Sequence, residues 1–166
     1  MGITKAVTAI AVLALLSGPC FADSNNNSCL LKKCYAGDKG ITYATKSEPY
    51  FACPTRELVD YTAFVLGLVS MNVQLGLPMP NISDKTGEPE YLDDKSGPNK
   101  TRLMLDVLRG EAKVRTFDQA LAMCNKGVGK LRVTVMNSPA NSIAIWVQND
   151  KTKSAFWLPK GNLDKK

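Results

Sequence analysis

Five cysteines, fifteen carboxylates and no histidine set the chemistry open to this chain of 166 residues. Without histidine there is no Ser-His-Asp triad, no Cys-His pair and no imidazole general base. The cysteines are too few and too scattered for a four-thiolate zinc site, and none has the C-x-x-C spacing of a redox dithiol. Neither G-x-S-x-G nor Ser-x-x-Lys occurs, so activated-serine chemistry has no local signature. A carboxylate pair is the remaining route to catalysis, since two acids across a cleft can hydrolyse a glycosidic bond. Glu57 and Asp60 are the nearest such pair. Their place at the start of a predicted helix also suits two solvated carboxylates near its positive end. The reading is therefore of a non-enzymatic chain: no catalytic residue, cofactor or metal ligand is assigned.

Two other clusters qualify as a binding surface. Asp84, Glu88, Glu90, Asp93 and Asp94 fall in a segment with four prolines and two glycines, residues 78–99. Calcium takes several carboxylate oxygens on a flexible loop, but the spacing is not that of a helix-loop-helix site. A solvated acidic loop is expected. Near the C-terminus Trp146, Phe156 and Trp157 mix with Lys151, Lys153, Lys160, Lys165 and Lys166. Aromatics among cations can stack on bases or sugars while lysines hold phosphates. At least two of the three aromatics are expected in the core instead, and nucleic acid is not an expected partner. The candidate surface thus comprises the five acids with Trp146, Trp157, Lys151 and Lys153.

The compartment follows from the first 22 residues. Lys5 gives a positive start, Ala6–Leu16 is an apolar run too short to span a bilayer, and Gly18-Pro19 breaks it. Cys20-Phe21-Ala22 then offers small residues at the −3 and −1 positions of a cleavage site. Lipidation at Cys20 is the alternative, disfavoured because Pro19 precedes it. A signal peptide of residues 1–22 implies a periplasmic or secreted chain. Net charge is +6, of which Lys5 leaves with the leader. A basic surface of this size favours anionic partners such as cell-wall polymers, lipid headgroups or an acidic protein.

Export makes Cys29, Cys34, Cys53 and Cys124 two disulfides with three possible pairings. Cys29–Cys34 within one polar segment and Cys53–Cys124 between two helix ends is the favoured arrangement. The longer bridge would stabilise by about 4 kcal/mol through loop-closure entropy.

The elements that must position these residues are read from periodicity. Residues 23–40 form a polar arm, and 41–166 a single domain. Ile41–Thr45 alternates as a strand, and Tyr50–Ala52 is a second, short one. A helix begins at Cys53-Pro54, with Leu58, Tyr61, Thr62, Val65, Leu68, Val69 and Asn72 on one face. Its other faces are apolar too, so full burial is expected; a membrane span over Tyr61–Leu77 is the alternative, opposed by Asn72, Gln74 and Pro78. A second helix covers about Lys100–Arg109 and stops at Gly110. A third opens with a capping box, Thr116-Phe117-Asp118-Gln119, and closes at Gly127. The period then changes to two: strands at Leu131–Val135, Ile143–Val147 and Ser154–Leu158 make an antiparallel meander.

The order of a strand, the ACPTREL helix, a helix ending at Cys124 and three strands closing on SAFWLPKGNL resembles small periplasmic Src-homology-3-like β-barrels of bacteria. Cys53, Cys124, Trp157 and Pro159 carry the likeness, over Thr42–Leu58 and Phe117–Leu163; Val59–Thr116 has no counterpart. The resemblance implies a fold and no residue role. The expected class is α+β: a disulfide-stapled small antiparallel β-barrel or meander with two or three helices inserted between its N- and C-terminal strands. The expected function is binding a protein partner, as an inhibitor or immunity protein or an accessory subunit of a bacterial envelope machine. A secreted hydrolase using a carboxylate pair and a cell-wall or glycan-binding module are the alternatives.

Overall fold

The computed structural model describes residues 27–46, 49–90 and 100–166. Residues 1–22, read as a signal peptide, and Asp93 and Asp94 lie outside the described residues. Strand β1 (Lys39–Thr42) pairs on one side with β6 (Arg132–Asn137) and on the other with β9 (Leu163–Lys165). Beyond β6 come β7 (Ala144–Asn149) and β8 (Ala155–Pro159), giving an antiparallel sheet in the order β8-β7-β6-β1-β9. Three of these strands are the expected meander. The last strand, after a 3-10 turn at Lys160–Asn162, was not expected.

No sheet among the described residues closes into a barrel. Strand β2 (Phe51–Ala52) pairs with β5 (Asn125–Lys126) as a separate two-stranded sheet, and Cys53 bridges to Trp157 on the edge of β8. Gly127 lies against the ring of Tyr50 so closely that a Cβ there would sit 2.5 Å from it. The backbone N–H of Gly127 donates to the Tyr50 carbonyl at 2.7 Å. That glycine therefore serves close packing, not the expected helix stop.

The alternation of β7 and β8 feeds two cores, one on each face of the sheet. Ile145, Val147 and Leu158 join Tyr50, Val133, Val135, Leu163 and the Cys29–Cys34 pair on one face. Ala144 and Trp157 face the helices on the other. Each fully buried aliphatic side chain contributes about 1.5–3 kcal/mol, so both faces hold the sheet in place.

The helical face is organised by α1 (Arg56–Gln74). Thr55, not Cys53 or Pro54, is its N-cap, and its hydroxyl accepts from the Leu58 N–H at 3.4 Å. Leu58, Val59, Tyr61, Thr62, Val65 and Asn72 are buried, but the last turn is not: Met71 and Val73 are exposed. The expectation of a helix buried all round is thus corrected, because no element among the described residues packs over that end. No helix among the described residues is long and apolar enough to cross a membrane. Helix α2 (Lys100–Glu111) runs through Gly110 and packs on α1 through Leu105. In α3 (Phe117–Ala122) the Thr116 cap accepts from the Gln119 N–H, while the Gln119 side chain reaches the N–H of Arg115 instead of Thr116. The Cys53–Cys124 bridge, 71 residues apart in sequence, ties the entry of α1 to the exit of α3.

Candidate functional site

The Pro-rich segment is more ordered than its composition implies over residues 78–90. Strands β3 (Asn81–Ile82) and β4 (Pro89–Glu90) form a hairpin whose turn is closed by Ser83 and Glu88 backbone bonds, with Gly87 at φ 69°. The hairpin is held by Glu88, which is 1% exposed. Its Oε1 accepts from the Tyr61 hydroxyl at 2.7 Å and its Oε2 from Arg109 Nη1 at 2.6 Å. Arg109 also reaches Asp106 at 2.5 Å. Burial raises the Tyr61 phenol well above its ordinary value, and the Glu88 carboxylate adds to the effect. Burial works against the Arg109 charge, but Glu88 and Asp106 outweigh it and hold that charge more firmly.

Glu88 is therefore not part of an acidic surface; it is a buried anchor joining the hairpin to α1 and α2. Asp84 and Glu90 are exposed. No group of three or more acidic, cysteine or histidine side chains that could hold a metal ion occurs among the described residues.

Trp146 and Trp157 face each other across β7 and β8 with ring centroids 6.1 Å apart and planes 18° from parallel. Both are half-buried, and Trp157 packs on the helical core while Phe156 joins the other. Lys151 and Lys153 are exposed in the β7–β8 turn, where the Asn149 side chain accepts from the Lys151 and Thr152 N–H groups. No hydrogen bond or ion pair joins this set to the acidic hairpin among the described residues. The seven described positions of the nine expected to form one surface are divided between a buried anchor, an exposed hairpin, a half-buried tryptophan pair and an exposed turn.

The nearest approach to a catalytic constellation is one that sequence spacing does not reveal. Ser142 Oγ donates to Asp60 Oδ1 at 2.8 Å and accepts from the Ala144 N–H at 2.9 Å. Lys160 Nζ donates to the carbonyls of Pro139 at 2.5 Å and Ser142 at 2.7 Å. Burial raises the Asp60 carboxyl, against the opposing pull of Ser142 and Arg56. Burial lowers the Lys160 amine, which Asp60 partly offsets. The serine proton points at a carboxylate and the ammonium is engaged by two carbonyls. Such a cluster fastens the loop 138–143 to α1 and to the 3-10 turn that follows β8. Glu57 turns instead to Arg56, at 3.0 Å.

The surface feature that stands out is apolar. Met71, Val73, Leu75, Leu77, Met79 and Ile82 are each about half or more exposed, within twelve successive residues. Leu103, Met104 and Val107 of α2 are exposed as well. Glu88 holds Tyr61 near the start of α1 against Arg109 near the end of α2, and Val65 shares a core with Leu105. The helices thus run antiparallel, with the exposed end of α1 beside the start of α2. Leu75, Leu77 and Met79 alternate at strand spacing with Gly76, Pro78 and Pro80, and residues 75–80 form no strand, since proline supplies no backbone donor. That pattern is the sequence signal for an apolar surface and it was open to view. No family model matches the chain, and no curated protein or solved structure is significantly similar to it.

Proposed function

We propose that the chain is an exported, non-enzymatic protein-binding protein of the bacterial envelope, acting as an inhibitor or accessory subunit of a larger machine. The observation that carries this reading is the set of exposed apolar side chains at the end of α1 and just after it, Met71, Val73, Leu75, Leu77 and Met79, with Leu103 and Met104 at the start of α2. A large exposed apolar patch on a folded domain marks a contact with another macromolecule. Unbranched methionines in it suit an adaptable contact. Two disulfides support an oxidising address.

The test is affinity capture from envelope extract with the exported protein and its Val73→Asp/Leu75→Asp variant. A partner captured in stoichiometric amount by the parent and lost by the variant supports the proposal. Capture of the same partner by both, or of none by either, overturns it.

A further inference from the structure

The Cys29–Cys34 loop has a composition and a backbone unlike an ordinary polar turn. Between the cysteines stand Leu30, Leu31, Lys32 and Lys33, and Tyr35 follows. Leu30 is 61% exposed, Leu31 68% and Tyr35 61%, although both cysteines are buried. The bridge pins the loop to the sheet, and the Cys29 N–H donates to the Leu163 carbonyl at 2.8 Å.

Three backbone donors at its tip are satisfied from within. The Leu31 and Lys32 N–H groups donate to the Ser28 carbonyl at 3.0 and 2.9 Å, and the Leu30 N–H to Ser28 Oγ at 3.1 Å. The amides of both leucines are therefore already paired when their side chains meet an apolar medium.

Beside the leucines lies a cationic hollow of about 400 Å³ lined by Asn27, Lys32, Lys33, Lys165 and Lys166. Lys165 is paired with Asp38 at 2.6 Å and lies 5.6 Å from the Tyr35 ring centre. The ammonium groups of Lys33 and Lys166 have no partner among the described residues. Two adjacent leucines at a rigid tip, a tyrosine at its base and lysines around it are complementary to one kind of surface. An apolar layer takes the leucines, the tyrosine sits at its boundary, and phosphates above it meet the lysines.

We propose that the Cys29–Cys34 loop docks the protein on an anionic lipid bilayer, Leu30 and Leu31 entering the acyl boundary while Lys32, Lys33 and Lys166 contact headgroup phosphates. This site uses different exposed side chains from the apolar end assigned to a protein partner, although Leu30 shares a hollow with Ser70 and Gln74 of α1. Either can fail without the other.

The test is co-sedimentation of the exported protein with phosphatidylcholine vesicles, with and without phosphatidylglycerol. Binding is expected only with phosphatidylglycerol, and is expected to weaken with salt. Leu30→Ser/Leu31→Ser should weaken binding by about tenfold or more. Lys32→Gln and Lys33→Gln should each weaken it by about fivefold. Val73→Asp/Leu75→Asp should leave it unchanged, and retained thermal unfolding would show each variant folded. In Tyr35→Trp, emission should shift to the blue on anionic vesicles. Equal binding to neutral vesicles, no binding at all, or full retention by the leucine variant overturns the proposal. Loss on adding free inorganic phosphate, beyond the loss caused by sodium chloride at the same ionic strength, would assign the hollow to a soluble anion and also overturn it.

Discussion

Removing the guanidinium of Arg109 should cost more than any other single surface-reaching change, because of what it leaves behind. Glu88 is 1% exposed, and its two oxygens are held by Tyr61 at 2.7 Å and Arg109 at 2.6 Å. Arg109→Met keeps most of the aliphatic stem and strands a buried carboxylate with one phenol donor. Breaking a buried pair from one side costs about 3–5 kcal/mol. Tyr61→Phe removes one hydrogen bond to a charged group and should cost about 1.5–3 kcal/mol. For a domain of this size the arginine variant should melt about 10–15 °C lower. The assay is urea unfolding of the parent, Glu88→Gln, Arg109→Met and their double variant. The coupling energy between the two sites should reach about 2 kcal/mol or more. A loss below about 1 kcal/mol for Arg109→Met, the value of an exposed pair, would refute the reasoning and place the carboxylate in contact with water.

Three further outcomes follow from the same geometry. Cys53→Ala/Cys124→Ala should lower stability by about 4 kcal/mol in urea unfolding, and more than Cys29→Ala/Cys34→Ala, because loop-closure entropy grows with the 71-residue separation. Burial holds the Asp60 carboxyl above its ordinary value of 3.8, so the native state binds that proton more tightly than the unfolded chain. The group's contribution is therefore largest at low pH and falls as pH rises through the raised value; urea midpoints measured from about pH 4 to pH 7 should show this decline flattened in Asp60→Asn. Gly127→Ala must displace the buried Tyr50 ring and should cost about 1–3 kcal/mol in thermal unfolding.

The parts of the fold legible from the chain are those set by local period. The alternation of Val133 and Val135, of Ile145 and Val147, and of Phe156 and Leu158 marks the three meander strands. Thr116 marks the cap of α3. Both disulfide pairings were the favoured ones, since Cys29 and Cys34 share a short polar segment while Cys53 and Cys124 flank helices. What escaped depends on partners distant in sequence. Strand β1 lies between β6 and β9, and nothing local to Lys39–Thr42 specifies either neighbour. The separate β2–β5 pair and the Cys53 bridge to Trp157 leave an open sheet where a barrel was expected. Glu88 looked like one acid among five because its burial comes from Tyr61 and Arg109, each more than twenty residues away. The Ser142–Asp60–Lys160 cluster is invisible for the same reason: its members meet only once the loop folds against α1. After Gln74, Leu75, Leu77 and Met79 alternate with Gly76, Pro78 and Pro80, and the prolines and glycine marked the run as loop, so its apolar side chains were not read as surface.

Site-specific photo-crosslinking in producing cells tests the central claim most directly. A photoreactive residue placed at Leu75 or Met79 should yield one discrete adduct with a second polypeptide, and the same residue at Lys151 should yield none. Adducts of equal yield from all three positions, or no adduct from Leu75 and Met79, would contradict a protein partner at the apolar end of α1 and α2.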